Sequence, residues 1–236
     1  MKKDSWASPE TQKVVSIFHI AATGASGGSY GSLELQMNGL ATSQIALNVH
    51  SGSSNVGATF ETGLSTIADG LWHHYAATVK KEDASTTVLK LYLDGVYQSQ
   101  ANSSTLFSNP IEGKMVASLG SLAAETETDL SEGGVGLGNV VATSFDEFRY
   151  WKTRRSAQQI GRFYRDQVGG GTNTDNIKYD DVTNKVDLGV YFKFNEGITG
   201  DSTTDATILD YSGRISNGAF ENYSSCLLYT SPSPRD

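Results

Sequence analysis

Three groups of side chains are of types that could do chemistry, and their spacing decides what chemistry is open to them. The adjacent pair His73-His74 comes first, because imidazole nitrogens are common metal ligands. Both lie in the run WHHYAATV at 72–79, whose aromatic and β-branched residues predict a strand. Successive strand side chains take opposite faces, so Trp72, His74, Ala76 and Thr78 share one side while His73, Tyr75, Ala77 and Val79 share the other. Two imidazoles on opposite faces cannot converge on one ion, and the pair is expected to pack rather than to ligate. His19 and His50 are isolated in the sequence and carry the same expectation.

The second group is acidic. Glu125, Glu127, Asp129 and Glu132 fall in AAETETDLSEGGVGLG (123–138), an aperiodic, glycine-bounded stretch that reads as a loop. Calcium takes about six to eight oxygens in flexible geometry, and clustered carboxylates on such a loop supply them. These four are the candidate metal ligands, with calcium as the candidate cofactor; a solvated acidic loop is the alternative. Asp201, Asp205 and Asp210 form a weaker set, and Asp210-Tyr211-Ser212-Gly213 reads most simply as a turn. The third group is Asp146-Glu147. Glycoside hydrolysis needs two carboxyl groups about 5 to 10 Å apart across the bond, and adjacent strand residues diverge instead. There is no P-loop, no G-x-S-x-G and no H-E-x-x-H. No catalytic residue is assigned, and the chain is expected not to be an enzyme.

The elements that would position these groups are mostly strands. Residues 69–100 read as two strands, a polar turn, and a tight hairpin leading into a third strand, a half-buried antiparallel meander. Leu89, Leu91 and Leu93 point one way and Val88, Lys90 and Tyr92 the other, while Asp94-Gly95 suits the positive φ angles of a two-residue hairpin turn. The run KVVSIFHIAA at 13–22 reads as a strand buried on both faces, followed by a glycine-rich turn and strands at 33–37 and 44–50. A strand at 144–151 precedes Ser156-Ala157-Gln158-Gln159, a capping box that opens a helix of about two turns with Ile160, Phe163 and Tyr164 on one side.

Composition agrees with an all-β chain. The 236 residues include 25 Gly but 4 Pro, and small turn residues separate short aromatic and β-branched runs. The formal net charge is −8 and no basic stripe stands out, which argues against a nucleic-acid partner. No apolar run approaches the roughly 20 residues a membrane-spanning helix needs.

Two motifs carry a family resemblance. WHHYAATV followed by LYLDGV, and then FDEFRYWKTRRSAQQIGRFY at 145–164, resemble the centre, closing strand and short helix of laminin-G-like, pentraxin-related modules of the concanavalin A-like lectin/glucanase superfamily. The resemblance implies a two-sheet antiparallel jelly-roll sandwich with one short helix after the closing strand. It implies a recognition module, extracellular, cell-surface or virion-exposed, with a glycan or a surface protein as partner. The acidic loop falls where the pentraxins carry their calcium loop, by position and not by residue pattern. The glucanases of the superfamily use E-x-D-x-x-E on one strand face, and that motif is not present here. In such lectin-like sandwiches a sugar stacks on an exposed aromatic, for which Tyr30, Tyr92 and Tyr97 are candidates. An accessory carbohydrate-binding module of a polysaccharide-degrading enzyme and a structural spacer are the alternative functions. The adapter-like residues 226–236 imply an environmental source, for which a phage adhesion or other virion structural protein is the expectation.

The expected organisation is a sandwich over 1–166, a polar linker over 167–187, and the start of a second laminin-G-like module over 188–225. Residues 188–223 (LGVYFKFNEGITGDSTTDATILDYSGRISNGAFENY) resemble the opening strands that the first module lacks before Trp6, so truncation at both ends is expected. In the competing arrangement this segment folds back and completes the first sheet. Residues 226–236, CLLYTSPSPRD, resemble the in-frame translation of a sequencing adapter and hold the single Cys. Without them neither a disulfide framework nor a cysteine nucleophile is available.

Overall fold

In a computed structural model the described residues are 1–6, 14–24, 27–38, 44–61, 64–107, 111–121, 140, 142–168, 179–180, 185–195, 206–212 and 216–220. They fall into two compact units, Lys2–Thr143 and Ser144–Asp236. Glu125, Glu127, Asp129, Glu132, Asp201, Asp205 and the segment 226–236 lie outside the described residues. No described helix is long and apolar enough to cross a membrane.

The first unit runs β1 (Lys2–Lys3), β2 (Val14–Thr23), β3 (Gly31–Asn38), β4 (Gln44–Ser51), β5 (Ser54–Glu61), the single turn α1 (Leu64–Ile67), β6 (Tyr75–Lys81), β7 (Thr87–Leu93), β8 (Val96–Ser103) and β9 (Lys114–Leu119). Two antiparallel sheets result, five strands in the order β5-β4-β3-β2-β9 and three in the order β6-β7-β8. Alternation, interrupted once in β2 between Ser16 and Phe18, separates the faces of the larger sheet. Val15, Met37, Ile45 and Phe60 form one cross-strand row; Leu119, Phe18, Leu35, Leu47 and Ala58 form another. With the row of Ala117, Ile20, Leu33, Val49 and Val56, these make one wholly apolar face. Met37, Ile45 and Leu47 are fully buried there, as are Leu89 and Leu91 on the inner face of the smaller sheet. Burial of such rows is the main favourable term in a sandwich.

The central meander differs from expectation at two places. The strand begins at Tyr75 rather than at Trp72, which makes a lone bridge with Lys2. The neighbouring Gly70 amide donates to the Lys3 carbonyl (3.1 Å), so β1 draws this segment away from the sheet before β6 starts. Strand β7 is buried on both faces, because Val88 and Tyr92 are covered along with the leucines. The hairpin is as expected. Asp94 and Gly95 take φ of 50° and 77°, and Leu93 pairs with Val96 across the two-residue turn.

The second unit follows β10 (Thr143–Ser144). It holds β11 (Phe148–Trp151), α2 (Ala157–Phe163), β12 (Tyr179–Asp180), β13 (Lys185–Val186), β14 (Leu188–Phe192), β15 (Thr207–Ile208) and β16 (Gly218–Ala219). Ser156 Oγ accepts from the Gln159 amide (3.2 Å) and Gln159 Oε1 from the Ser156 amide (2.9 Å), so the capping box is formed. Ile160 and Phe163 face inward. Strands β11 and β14 pair antiparallel, Phe148 opposite Phe192 with their rings stacked at 5.9 Å. Val168, Leu188 and Tyr191 cluster beneath them, with Trp151 packed alongside.

Candidate functional site: the polar face of the five-stranded sheet

The alternation that builds the apolar face leaves the opposite one polar. Ser118, His19, Glu34, Asn48 and Gly57 form one cross-strand row over β9-β2-β3-β4-β5, and Val116, Ala21, Ser32, His50 and Asn55 the next. Ser16, Gln36, Ala46 and Thr59 make a third, beyond a register shift between Ser16 and Phe18. Strand spacing of about 4.8 Å and about 6.8 Å between alternate residues turn these rows into a grid of imidazole, carboxamide, hydroxyl and carboxylate groups.

The grid is graded. At β2, Ser16 is 0 % and His19 1 % exposed, and Ser32 and Glu34 on β3 are buried as well, whereas Asn55, Gly57 and Thr59 on β5 are open to solvent, with Gln36, Asn48 and His50 between. At the open end Gly57 has a definite task. A Cβ there would sit 2.6 Å from Asn48 Oδ1, so the missing side chain lets the Asn48 carboxamide lie across β5. Glu34 is the only carboxylate in the three rows. The arrangement suits hydrogen bonding to a polyhydroxyl ligand laid over β4 and β5.

The residues singled out from sequence are dispersed. Tyr30 is 4 % and Tyr92 3 % exposed, so neither can carry a sugar; the hydroxyphenyl groups are spent on packing. Tyr97, 46 % exposed, stands on the outer face of the smaller sheet, edge-on to Tyr92 at 5.9 Å. Asp210 Oδ1 accepts from the amides of Tyr191 (3.0 Å) and Ser212 (2.9 Å), as a turn carboxylate does. Glu147 Oε2 accepts from Arg149 Nη2 (2.8 Å) and from the Tyr191 hydroxyl (2.6 Å). Burial first, and then the Glu147 hydrogen bond, push the Tyr191 hydroxyl well above its ordinary pKa. No group of three or more His, Cys, Asp or Glu among the described residues is placed to hold a metal ion.

His73 and His74 do not converge, and what holds His73 was not visible in the strand pattern. Its Nδ1 lies 2.7 Å from Asp94 Oδ2 and its Nε2 3.1 Å from Asp69 Oδ2, while Asp94 Oδ1 accepts from the His74 amide (2.8 Å). His19 and Glu34 were likewise missed as a pair. The signal was present in the polar positions of LELQMN and QIALNVHS, but their alignment across strands depends on register.

A laminin-G family model, described as concanavalin A-like lectin/glucanases superfamily, matches residues 4–161, more than half of the 236. No curated protein and no solved structure matches the chain. The matched span takes in both sheets of the first unit, strand β11 and the start of α2, and on that footing the chain belongs to the concanavalin A-like lectin/glucanase superfamily.

Proposed function

We propose that this chain is a non-catalytic recognition module that binds carbohydrate through the open, β4-to-β5 side of the polar sheet face. The observation that carries the reading is the register. It sets Gln36, Asn48, His50, Asn55 and Thr59 on one side of the sheet, with solvent over the β5 end and a full apolar core behind. Amide and imidazole groups at strand spacing match the donor and acceptor pattern of sugar hydroxyls, and direct hydrogen bonds supply orientation where apolar contact is small. The setting that goes with this reading is extracellular, cell-surface or virion-exposed. An accessory module of a polysaccharide-degrading enzyme would use the same face.

The test is a panel of neutral oligosaccharides titrated calorimetrically against the protein and its Asn48→Ala variant. Binding to the parent and a loss of about tenfold or more in the variant, roughly 1.4 kcal/mol, is the expected result. No binding by a folded parent, with calcium and with chelator alike, would overturn the reading. The calcium part rests on Glu125, Glu127, Asp129 and Glu132, and a difference between those two conditions is what it requires.

A further inference from the structure

His73 lies between two carboxylates on separate segments, Asp69 four residues before it and Asp94 in the β7–β8 turn. An ionised carboxylate only accepts hydrogen bonds, so both contacts are satisfied together only when both ring nitrogens carry protons. Neutral imidazole has one N–H, and its bare nitrogen would then face an anion. The same carboxylates also organise backbone: Asp69 Oδ1 accepts from the Leu71 amide (2.8 Å) and Asp94 Oδ1 from the His74 amide (2.8 Å).

We propose that protonated His73 is a clasp that fastens the 69–74 segment to the β7–β8 hairpin turn, and that it loosens as pH rises and the imidazolium is lost. Among the described residues, the titratable groups near it come from several elements. Asp69 is on the segment itself and Asp94 is on the turn. Tyr75 of β6 presents its ring edge-on at 6.5 Å; burial, then Asp94 and Asp69, keep its hydroxyl neutral far above the ordinary range. Beside Gly70 stand Asp4, within 3.8 Å of a Cβ built there, and Lys2, 3.1 Å from Asp4.

The direction of the pH effect follows. Desolvation of the ring works against its charge, but the hydrogen bonds to Asp94 and Asp69, with their charges, outweigh it and raise the His73 pKa above the ordinary 6.5. A group whose pKa is raised on folding contributes stability that is complete below its unfolded value and is lost as pH rises through the folded one. The clasp is therefore closed below about pH 6.5 and opens above the raised pKa. Nothing in this depends on the ligand of the sheet face.

The experiment is a proton NMR titration of the His73 ring in the full chain, with amide exchange protection of His74 and Leu71 followed over the same pH range. His73 is expected to titrate above 6.5, and Asp69→Asn, a change on the surface that spares the core, to bring that value down. Protection of the His74 amide is expected to fall several-fold through the titration, about tenfold for each unit by which the pKa is raised. In His73→Gln, protection should show no such step. A pKa at or below 6.5, an unchanged pKa in Asp69→Asn, or protection equal on both sides of the titration would each overturn the clasp.

Discussion

The clusters around His73 and Glu147 are built on one plan with opposite charge. In each, one ionic side chain is held by two partners from different places in the sequence: His73 by Asp69 and Asp94, Glu147 by Arg149 and Tyr191. They differ in what can titrate. Side-chain exposure is 15 % for His73 and Glu147 alike, but the partners differ, 11 % for Arg149 against 27 % and 36 % for Asp69 and Asp94. The guanidinium also donates to the carbonyls of Phe163 (3.3 Å) and Asp166, so it is fixed on several sides. A carboxylate held by a buried arginine is a brace; a histidine held by two half-open carboxylates answers to protons.

The largest effect that can break this contrast is Glu147→Ala. It leaves the Arg149 charge in a buried place without its carboxylate, and about 3 kcal/mol of the second unit's stability should go, by the same amount at pH 6 and pH 8. Denaturant unfolding at both values measures it, and a clear pH dependence would erase the distinction drawn here. Tyr191→Phe removes one hydrogen bond to that carboxylate and keeps the ring in its cluster, for an expected loss of about 1.5 kcal/mol. His73→Gln is smaller, below about 1 kcal/mol under pH 6.5 and fading toward zero above the raised pKa, because its partners are solvated. Gly57→Ala should change stability least, within about 0.5 kcal/mol, since its φ is ordinary and only the end of Asn48 must move. Its readout is calorimetric: displaced from β5, the Asn48 carboxamide should cost oligosaccharide affinity in a protein that melts as before.

How far each feature could be read in advance depended on how far apart its partners are in the chain. The Asp94-Gly95 turn and the Ser156/Gln159 box are local, and both are found as their residues dictate, with positive φ at the turn and reciprocal bonds at the cap. The strands expected at 33–37 and 44–50 are likewise found, as β3 and β4. Less was legible at His73, because Asp94 is 21 residues away and reaches it only once the β7–β8 hairpin has closed. Tyr92 looked available on an alternating strand, and burial of β7 on both sides removed it.

By themselves, then, the residues determined strands, turns, cap and family, since these follow from period-two patterning, backbone preference at single positions and two local motifs. The tertiary structure alone decided which polar side chains stand together. Cross-strand register placed His19 beside Glu34 and Asn48 over Gly57, and closure of the hairpin brought Asp94 to His73. Strand alternation states which face a side chain takes. Which neighbour it meets there is settled by pairing between segments, where a shift of one residue would turn every side chain to the other face.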